Sequence, residues 1–486
     1  MPKINDICHC DAKTDSGDEF VGIRCIKAND GKYETRIDFP MGYFKDDAAI
    51  RTLPEETVRE SVMNLFSVLT DADLLSKIRE DSSIAAISEE AKETTFPMLA
   101  YLNVIRNYLD NGYITEREVE YKRKAHGKVN WNRTIKMTKP IVDEDESNLV
   151  YLDLIARKVN YNEDCLITLV HKFCVHDALN RLGFLFGIEP TEEPILDFEY
   201  ELFCSAVNAK LSKTFNDRDL HLLSDLAKII EFLAEHRTED GINSEYYFGV
   251  NKFAPVWEAL IDRIFGTVSR KERNDKYNPH LKYVAENAAN SEGDAYQEEV
   301  DSNAEYKRST LRPDTIMVTE IPEQVGDDKV GVFILDSKYY KFGVVDENFD
   351  RKRFLPGAES VCKQMAYAEY VETRWKKIFS LDSSNAVHSQ NDDCATSFAG
   401  MTSNNIYNAF IMPYCADAVD SIASLQNDGG ATPFGMKFEG FIYGDWKDGK
   451  KPYHKIACIL LDVKSVMQNY AADPNAQDEL AKLISR

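Results

Sequence analysis

Two acidic residues and a lysine in the second half of the chain have the types and the spacing needed for phosphodiester cleavage. Asp314 follows a proline, the next strand-like segment carries Asp336, and Lys338 lies two positions beyond it. Because side chains alternate along a strand, Asp336 and Lys338 share one face, and a hairpin would bring Asp314 beside them. Two carboxylates supply the oxygen ligands that Mg²⁺ prefers, and a nearby ammonium can position and activate a water molecule. We therefore expect a metal-dependent hydrolytic site here.

The elements predicted around these residues form a hairpin followed by further strands and helices. Alternating apolar residues predict strands over 315–318 and 330–335, with turn residues at 326–328. Helices are predicted over 253–265 and 357–379, and further strands over 409–412 and 456–461. An acidic, Ala- and Ser-rich stretch at 286–303 and a polar stretch at 381–405 are expected to be loops.

The first half of the chain predicts a mixed α/β domain. Two strand-like segments flank the turn signal at residues 29–31, and helices are predicted from Pro54, over 96–109, over 166–185 and over 220–233. A proline-containing stretch at 188–190 is the candidate boundary. The sequence thus predicts a recognition domain over residues 1–190 and a catalytic domain over residues 191–486.

A basic segment between residues 117 and 139 is predicted to form a β-hairpin, with strands over 113–121 and 129–137. The candidate contacts to DNA or to a partner protein are Lys122, Arg123, Lys124, Lys128, Trp131 and Arg133. The other interpretation is a solvated strand whose charges keep the sheet soluble. The two interpretations stay open on the sequence alone.

Charge and composition restrict the classes of partner. The chain has 58 Lys and Arg against 82 Asp and Glu, a formal net charge of −24, so on average it repels a polyanion. Contact with nucleic acid would need local basic patches, metal ions or a positively charged partner. The ten cysteines lack the spacing of a secreted disulfide scaffold, and neither a signal peptide nor a membrane-spanning apolar run is found, so we expect a cytoplasmic protein without membrane contact. The sequence contains no P-loop motif, so we expect no nucleoside triphosphate bound through one.

The Pro313–Asp314 and Asp336-x-Lys338 pair resembles the PD-(D/E)XK nuclease core. Four further groups of motifs, in order along the chain, resemble the LlaJI family of restriction endonucleases, which is similar to the McrC nuclease subunit. They are Phe39–Tyr43, Gly127–Ile135, Leu335–Tyr340 with Leu355–Gly357 and Lys363–Gln364, and Tyr407–Phe410 with Pro413. The resemblance implies an α/β fold, with a mixed α/β N-terminal domain and a C-terminal PD-(D/E)XK domain whose central mixed sheet is flanked by helices.

The resemblance also implies roles for individual residues in the cleavage of double-stranded DNA. Asp314 and Asp336 would bind Mg²⁺, for which Mn²⁺ could substitute, and Glu258 on the upstream helix would complete the metal shell. Lys338 would activate the attacking water. Lys363 and Gln364, on the downstream helix, would steady the phosphate or the water.

Alternatives remain at this point. A second Asp-x-Lys, Asp462 to Lys464, satisfies the same short pattern but no Pro-Asp strand precedes it. The chain could also be a McrC-like subunit that needs a McrB-like GTPase ring to recognise DNA, which the net charge favours. A third class is an acidic non-enzymatic adaptor or inhibitor, against which the acid, acid and lysine set argues. Homo-oligomerisation, the recognition sequence and the cut position stay open.

Overall fold

A computed structural model describes most of the chain. The described residues are 3–10, 20–27, 33–74, 96–123, 128–142, 149–162, 165–238, 241–242, 245–278, 311–321, 330–344, 351–374, 405–416 and 432–486. The predicted turns at 29–31 and 326–328, the predicted loop at 286–303 and residues 381–404 of the other predicted loop lie outside these ranges.

The described residues form both strands and helices. The strands are β1 Cys8–His9, β2 Val21–Lys27, β3 Tyr33–Asp38, β4 Glu116–Arg123, β5 Lys128–Val129, β6 Ile141–Val142, β7 Leu149–Val150, β8 Ile155–Asn162, β9 Arg237–Thr238, β10 Gly241–Ile242, β11 Tyr246–Val250, β12 Thr315–Glu320, β13 Val330–Ser337, β14 Ile406–Tyr414, β15 Lys437–Tyr443 and β16 Lys455–Asp462. The α-helices are α1 Ile4–Ile7, α2 Asp47–Thr52, α3 Glu55–Thr70, α4 Met98–Asn111, α5 Trp131–Met137, α6 Leu166–Phe186, α7 Tyr200–Leu211, α8 Asp217–Glu235, α9 Ala254–Phe265, α10 Arg270–Glu272, α11 Ala358–Thr373, α12 Val463–Gln468 and α13 Pro474–Ile484. Among the described residues, no helix has both the length and the apolar character to cross a bilayer.

The chain divides into two compact units. Unit 1 contains residues 1–4, 25–33 and 93–248, and unit 2 contains residues 5–24, 34–92 and 249–486. Compact packing therefore does not follow the predicted boundary at residue 190, because residues 191–248 pack with unit 1 and most of the first 92 residues pack with unit 2. The assignment of recognition and catalysis to separate domains stays a prediction.

The core of unit 2 is a five-stranded mixed sheet in the order β12-β13-β14-β16-β15. The predicted hairpin is confirmed, since β12 and β13 pair antiparallel with Thr315 opposite Leu335. β14 pairs parallel with both β13 and β16, and β15 runs antiparallel to β16. Every residue of β14 is buried, which matches its apolar sequence, interrupted only by Asn408.

Helices pack against this sheet. α9 and α13 contact β12, and α11 lies along β13 and β14. Apolar side chains of α11, including Val361, Met365 and Ala368, are buried in the clusters that they form with the strands. The predicted α/β class, with a central mixed sheet and helices against it, is confirmed.

The Phe39–Tyr43 motif forms a tight turn in unit 2. Gly42 has a φ of +85°, and a Cβ there would lie 3.2 Å from side-chain atoms of both Val344 and Val463. Only glycine adopts this conformation readily. The hydroxyl of Tyr339 donates to the main-chain oxygen of Met41 at 3.4 Å, so this turn supports the segment directly after Lys338.

The core of unit 1 consists of packed helices and a buried polar group. α8 packs against α4 and α7, and α4 packs against α6. The Asp177 carboxylate accepts from the Tyr101 hydroxyl at 2.7 Å and forms an ion pair with Arg181 at 3.0 Å. These polar groups satisfy one another in an otherwise apolar interior.

The predicted basic hairpin is wrong in its second strand. Residues 131–137 form the helix α5, because the side chain of Asn130 accepts from the main-chain nitrogen of Arg133 and caps the first turn. β4 pairs instead with β8, which also pairs with the short β5. The basic segment is therefore a strand, a short strand and a helix.

Candidate active site

The antiparallel pairing of β12 with β13 brings the two predicted aspartates together. Asp314 directly precedes β12, and Asp336 is the penultimate residue of β13. The Asp314 carboxylate accepts a hydrogen bond from the main-chain nitrogen of Ser337 at 2.9 Å. Both carboxylates thus lie at the end of β13, where the register of the hairpin continues by one residue beyond Thr315.

Lys338 contacts Asp336 directly. Its Nζ lies 2.8 Å from Oδ2 and 3.0 Å from Oδ1 of that carboxylate. Its main-chain nitrogen donates to Ile411 of β14 at 2.9 Å, which fixes the backbone beyond the strand. Burial opposes the charged form, but the charge and the hydrogen bond of Asp336, helped by Asp314, raise the Lys338 pKa above its usual range. Lys338 is therefore an ammonium ion at neutral pH.

The negative charges that favour the charged form of Lys338 disfavour the charged form of Asp314. Burial raises its pKa well above the usual range for a carboxyl, and the negative charges of Asp336 and Glu258 raise it further. Lys338 lowers it by a smaller amount. Two acidic residues therefore place negative charge around Asp314, and a bound cation would relieve this repulsion.

Glu258 reaches the site from α9. The adjacent Trp257 is fully buried, and its ring nitrogen donates to the main-chain oxygen of Ile411 at 3.4 Å, which anchors the helix to β14. Among the described residues, no group of three or more His, Cys, Asp or Glu side chains is arranged to hold a metal ion. Asp314 and Asp336 are adjacent hard-oxygen donors and suit Mg²⁺. The Asp336 carboxylate also forms an ion pair with the Lys338 ammonium, so the two cations would share this carboxylate.

The two predicted residues on α11 lie elsewhere. Gln364 is fully buried, and its side-chain nitrogen donates to the main-chain oxygens of Ile334 at 2.6 Å and Ala409 at 3.4 Å. It therefore links α11 to β13 and β14. Lys363 forms an ion pair with Glu359 one turn earlier on the exposed face of the helix. The structure does not bring either side chain into contact with the carboxylates.

An arginine that the sequence analysis missed anchors Asp314. The guanidinium of Arg273 donates to the main-chain oxygen of Asp314 and pairs with the Asp262 carboxylate at 2.6 Å. Asp262 also accepts from the Thr315 hydroxyl at 3.2 Å. Arg273 belongs to a π-helical turn over Arg273–Tyr277, for which the sequence carries no recognisable signal.

The predicted DNA or partner contacts lie in unit 1. Lys122 pairs with Glu120 at 2.7 Å, and the Arg123 guanidinium donates to the main-chain oxygen of Met137 at 3.2 Å. The Arg133 guanidinium lies 3.8 Å from the centre of the Tyr121 ring.

The remaining members of this set are Lys128, Trp131 and Lys124. Lys128 is exposed, and the Trp131 side chain is 56% exposed, which is unusual for tryptophan. Lys124 lies outside the described residues.

The second Asp-x-Lys has a clear structural role. The Asp462 carboxylate accepts from the nitrogen of Ser465 at 2.9 Å and from its hydroxyl at 2.6 Å, and so caps α12. It also accepts from the nitrogen of Ala416 at 2.9 Å. Its hydrogen-bonding capacity is thus used to join β16, α12 and the end of β14.

Comparison with known proteins gives matches to a family, to a curated protein and to a solved structure. Residues 48–421 match the model of the LlaJI restriction endonuclease family. The chain is 25% identical over 331 residues to the type II restriction enzyme BsuMI component YdjA of Bacillus subtilis (strain 168), a match over 66% of this chain and 64% of that protein. A solved structure of Thermococcus gammatolerans McrB AAA+ hexamers with bound McrC matches with 13% identity and a TM-score of 0.27, over 93% of this chain and 81% of that chain.

A TM-score of this size does not establish a shared fold, so the family match carries the classification. It spans well over half of the sequence and contains Glu258, Asp314, Asp336 and Lys338, whereas Asp462 lies beyond its end. The chain belongs to the LlaJI restriction endonuclease family.

Proposed function

We propose that this protein is a metal-dependent endonuclease of PD-(D/E)XK type that hydrolyses phosphodiester bonds of double-stranded DNA in a restriction-modification system. The observation that carries the proposal is the placement of Asp314, Asp336 and Lys338 at one end of a hairpin in the central sheet. Family membership supports the same activity. The type of restriction enzyme, the cofactor and the substrate are parts of the proposal.

The proposed roles follow from the charges in the site. Asp314 and Asp336 would hold Mg²⁺ or Mn²⁺, and Glu258 would add negative charge from α9. The bound cation would neutralise the scissile phosphate and acidify a water molecule. Because its pKa is raised, Lys338 serves better as a positive charge that orients the water and stabilises the developing negative charge than as a base.

The test is DNA cleavage by purified protein in Mg²⁺, in Mn²⁺ and in a chelator. We expect metal-dependent cutting by the parent, and no detectable cutting by Asp336→Ala or Lys338→Ala at unchanged circular dichroism. Cleavage by carefully purified Asp336→Ala at the parental rate would show that the site lies elsewhere.

A second candidate function is a nuclease subunit that depends on a partner. Two observations favour it: the net charge of −24, which opposes DNA binding by the chain alone, and the word component in the name of the YdjA relative. In this case a GTP-hydrolysing ring of McrB type would recognise the DNA and activate cutting. Cleavage by the purified chain alone, at a rate that added GTPase and GTP do not change, would exclude it.

A further inference from the structure

One feature beside the carboxylates that the proposed function leaves unexplained is a pocket in unit 2. Its volume is about 460 Å³, within the roughly 300–1,000 Å³ typical of ligand pockets, so it is large enough for more than a single ion. Glu258 and Asp314 form part of its wall. The pocket is therefore continuous with the candidate active site.

The charge of this pocket is unusual for the protein. Its charged lining residues are Arg263, Arg270, Arg273, Arg312, Glu258, Asp262 and Asp314. Four arginines against three acidic residues line this wall, although acidic residues exceed basic ones in the chain as a whole. A local excess of positive charge beside a cluster of carboxylates suits an anion that extends away from a metal site.

Two of the four arginines have structural roles. Arg263 pairs with Asp71 at 2.8 Å and stacks on Tyr470, with its guanidinium 5.1 Å from the ring centre. Arg273 is nine-tenths buried and pairs with Asp262, yet its Nε has no hydrogen-bond partner. The charges of these two arginines in the pocket wall are therefore already paired with carboxylates.

The other two arginines are placed to contact a ligand. Arg312 lies two residues before Asp314, and Arg270 begins α10 directly after Gly266–Ser269, which also line the pocket. Both side chains are half-buried, so their guanidinium groups are only partly hydrated. Arginine binds phosphate through two parallel N–H donors, which a lysine cannot provide.

We propose that this pocket binds a backbone phosphate of the DNA strand next to the phosphate that is cut, with Arg270 and Arg312 as its ligands. The inference rests on the proposed nuclease function and adds a substrate subsite to it. Arg273 lines the same pocket and positions Asp314 through its main-chain oxygen. The subsite would allow an acidic protein to bind DNA next to the position of cleavage.

The test measures DNA binding by fluorescence anisotropy with Ca²⁺ in place of Mg²⁺, over a series of salt concentrations. Arg270→Gln with Arg312→Gln removes one phosphate contact, so the slope of log affinity against log salt should fall by about one, with roughly tenfold weaker binding at 0.1 M salt. Arg270→Lys with Arg312→Lys should keep the slope and lose part of the affinity. Lys437→Gln with Lys450→Gln is the matched control, because it removes the same charge at the β15 side of the sheet.

The outcomes separate this inference from the proposed function. A Gln double variant with parental affinity and slope would overturn the subsite, even if the parent binds and cuts DNA. A parent that binds no DNA by itself would overturn the subsite together with the proposal of a self-sufficient endonuclease, and would favour the partner-dependent nuclease subunit. If inorganic phosphate raises the melting temperature of the parent but not of the Gln variant, while DNA binding of both is equal, the pocket binds free phosphate and the inference is wrong.

Discussion

The chain contains two Asp-x-Lys sequences, and the structure predicts opposite consequences for the same substitution in each. Asp462→Ala removes the cap of α12, which costs about 1 kcal/mol, and leaves the Ala416 nitrogen without its acceptor, which costs about 1–3 kcal/mol. The sum of about 2–4 kcal/mol corresponds to a melting temperature lowered by roughly 3–6 °C for a unit of this size. Asp336→Ala instead relieves the repulsion on Asp314 while it removes the partner of Lys338, so its melting temperature should stay near that of the parent.

The assay for this prediction combines differential scanning fluorimetry with cleavage rates per folded molecule, measured well below either melting temperature. We expect Asp462→Ala to be less stable and to cut within a few-fold of the parent, and Asp336→Ala to be stable and inactive. The reasoning is refuted if Asp462→Ala abolishes metal-dependent cutting while folded, or if Asp336→Ala cuts normally.

Three further predictions concern charge, the basic segment and backbone conformation. A carboxyl whose pKa is raised on folding destabilises the protein as pH rises from the unfolded pKa of about 3.9 through the folded pKa. Asp314→Asn should therefore raise the melting temperature of metal-free protein at neutral pH and leave it unchanged near pH 3. A lower melting temperature at neutral pH would contradict the raised pKa. If the basic segment binds DNA, changing Lys128, Arg133 and Lys136 to Gln should lower the slope of log affinity against log salt by roughly one per lost phosphate contact. An unchanged slope together with an unchanged partner-stimulated activity would show that the basic segment is a solvated surface. Gly42→Ala should destabilise unit 2 by about 1–2 kcal/mol because of the positive φ alone, and a melting temperature equal to that of the parent would show that the turn adopts another conformation.

The parts of the site that sequence analysis could predict are those that depend on strand geometry. Alternation of side chains places Asp336 and Lys338 on one face of their strand. The antiparallel hairpin then brings Asp314 opposite Asp336, so both contacts follow from strand pairing alone. Arg273 could not be predicted in this way. It contacts Asp314 across 41 positions of sequence from a π-helical turn, and neither periodicity nor spacing reports such a contact.

The errors have local physical causes. The stretch from Trp131 to Met137 contains aromatic and β-branched residues that favour a strand, but the Asn130 cap stabilises a helix. Strand β15 escaped prediction because its residues are half-buried and include Gly440, so neither alternation nor a continuous apolar run is present. Gln364 was assigned to the phosphate or the water, whereas the buried face of α11 directs its amide to the backbone of two strands.

The order of strands in the central sheet decides which fragment of this protein can be expressed by itself. The part that matches the family ends at residue 421, yet β16 pairs with β14 along Asn408–Tyr414 and is contributed by residues beyond that point. A fragment truncated at 421 would expose one side of a strand whose nine residues are all buried in the intact chain. Such a strand offers unpaired main-chain groups and apolar side chains to another molecule, so the fragment should precipitate or elute in the void volume of a sizing column.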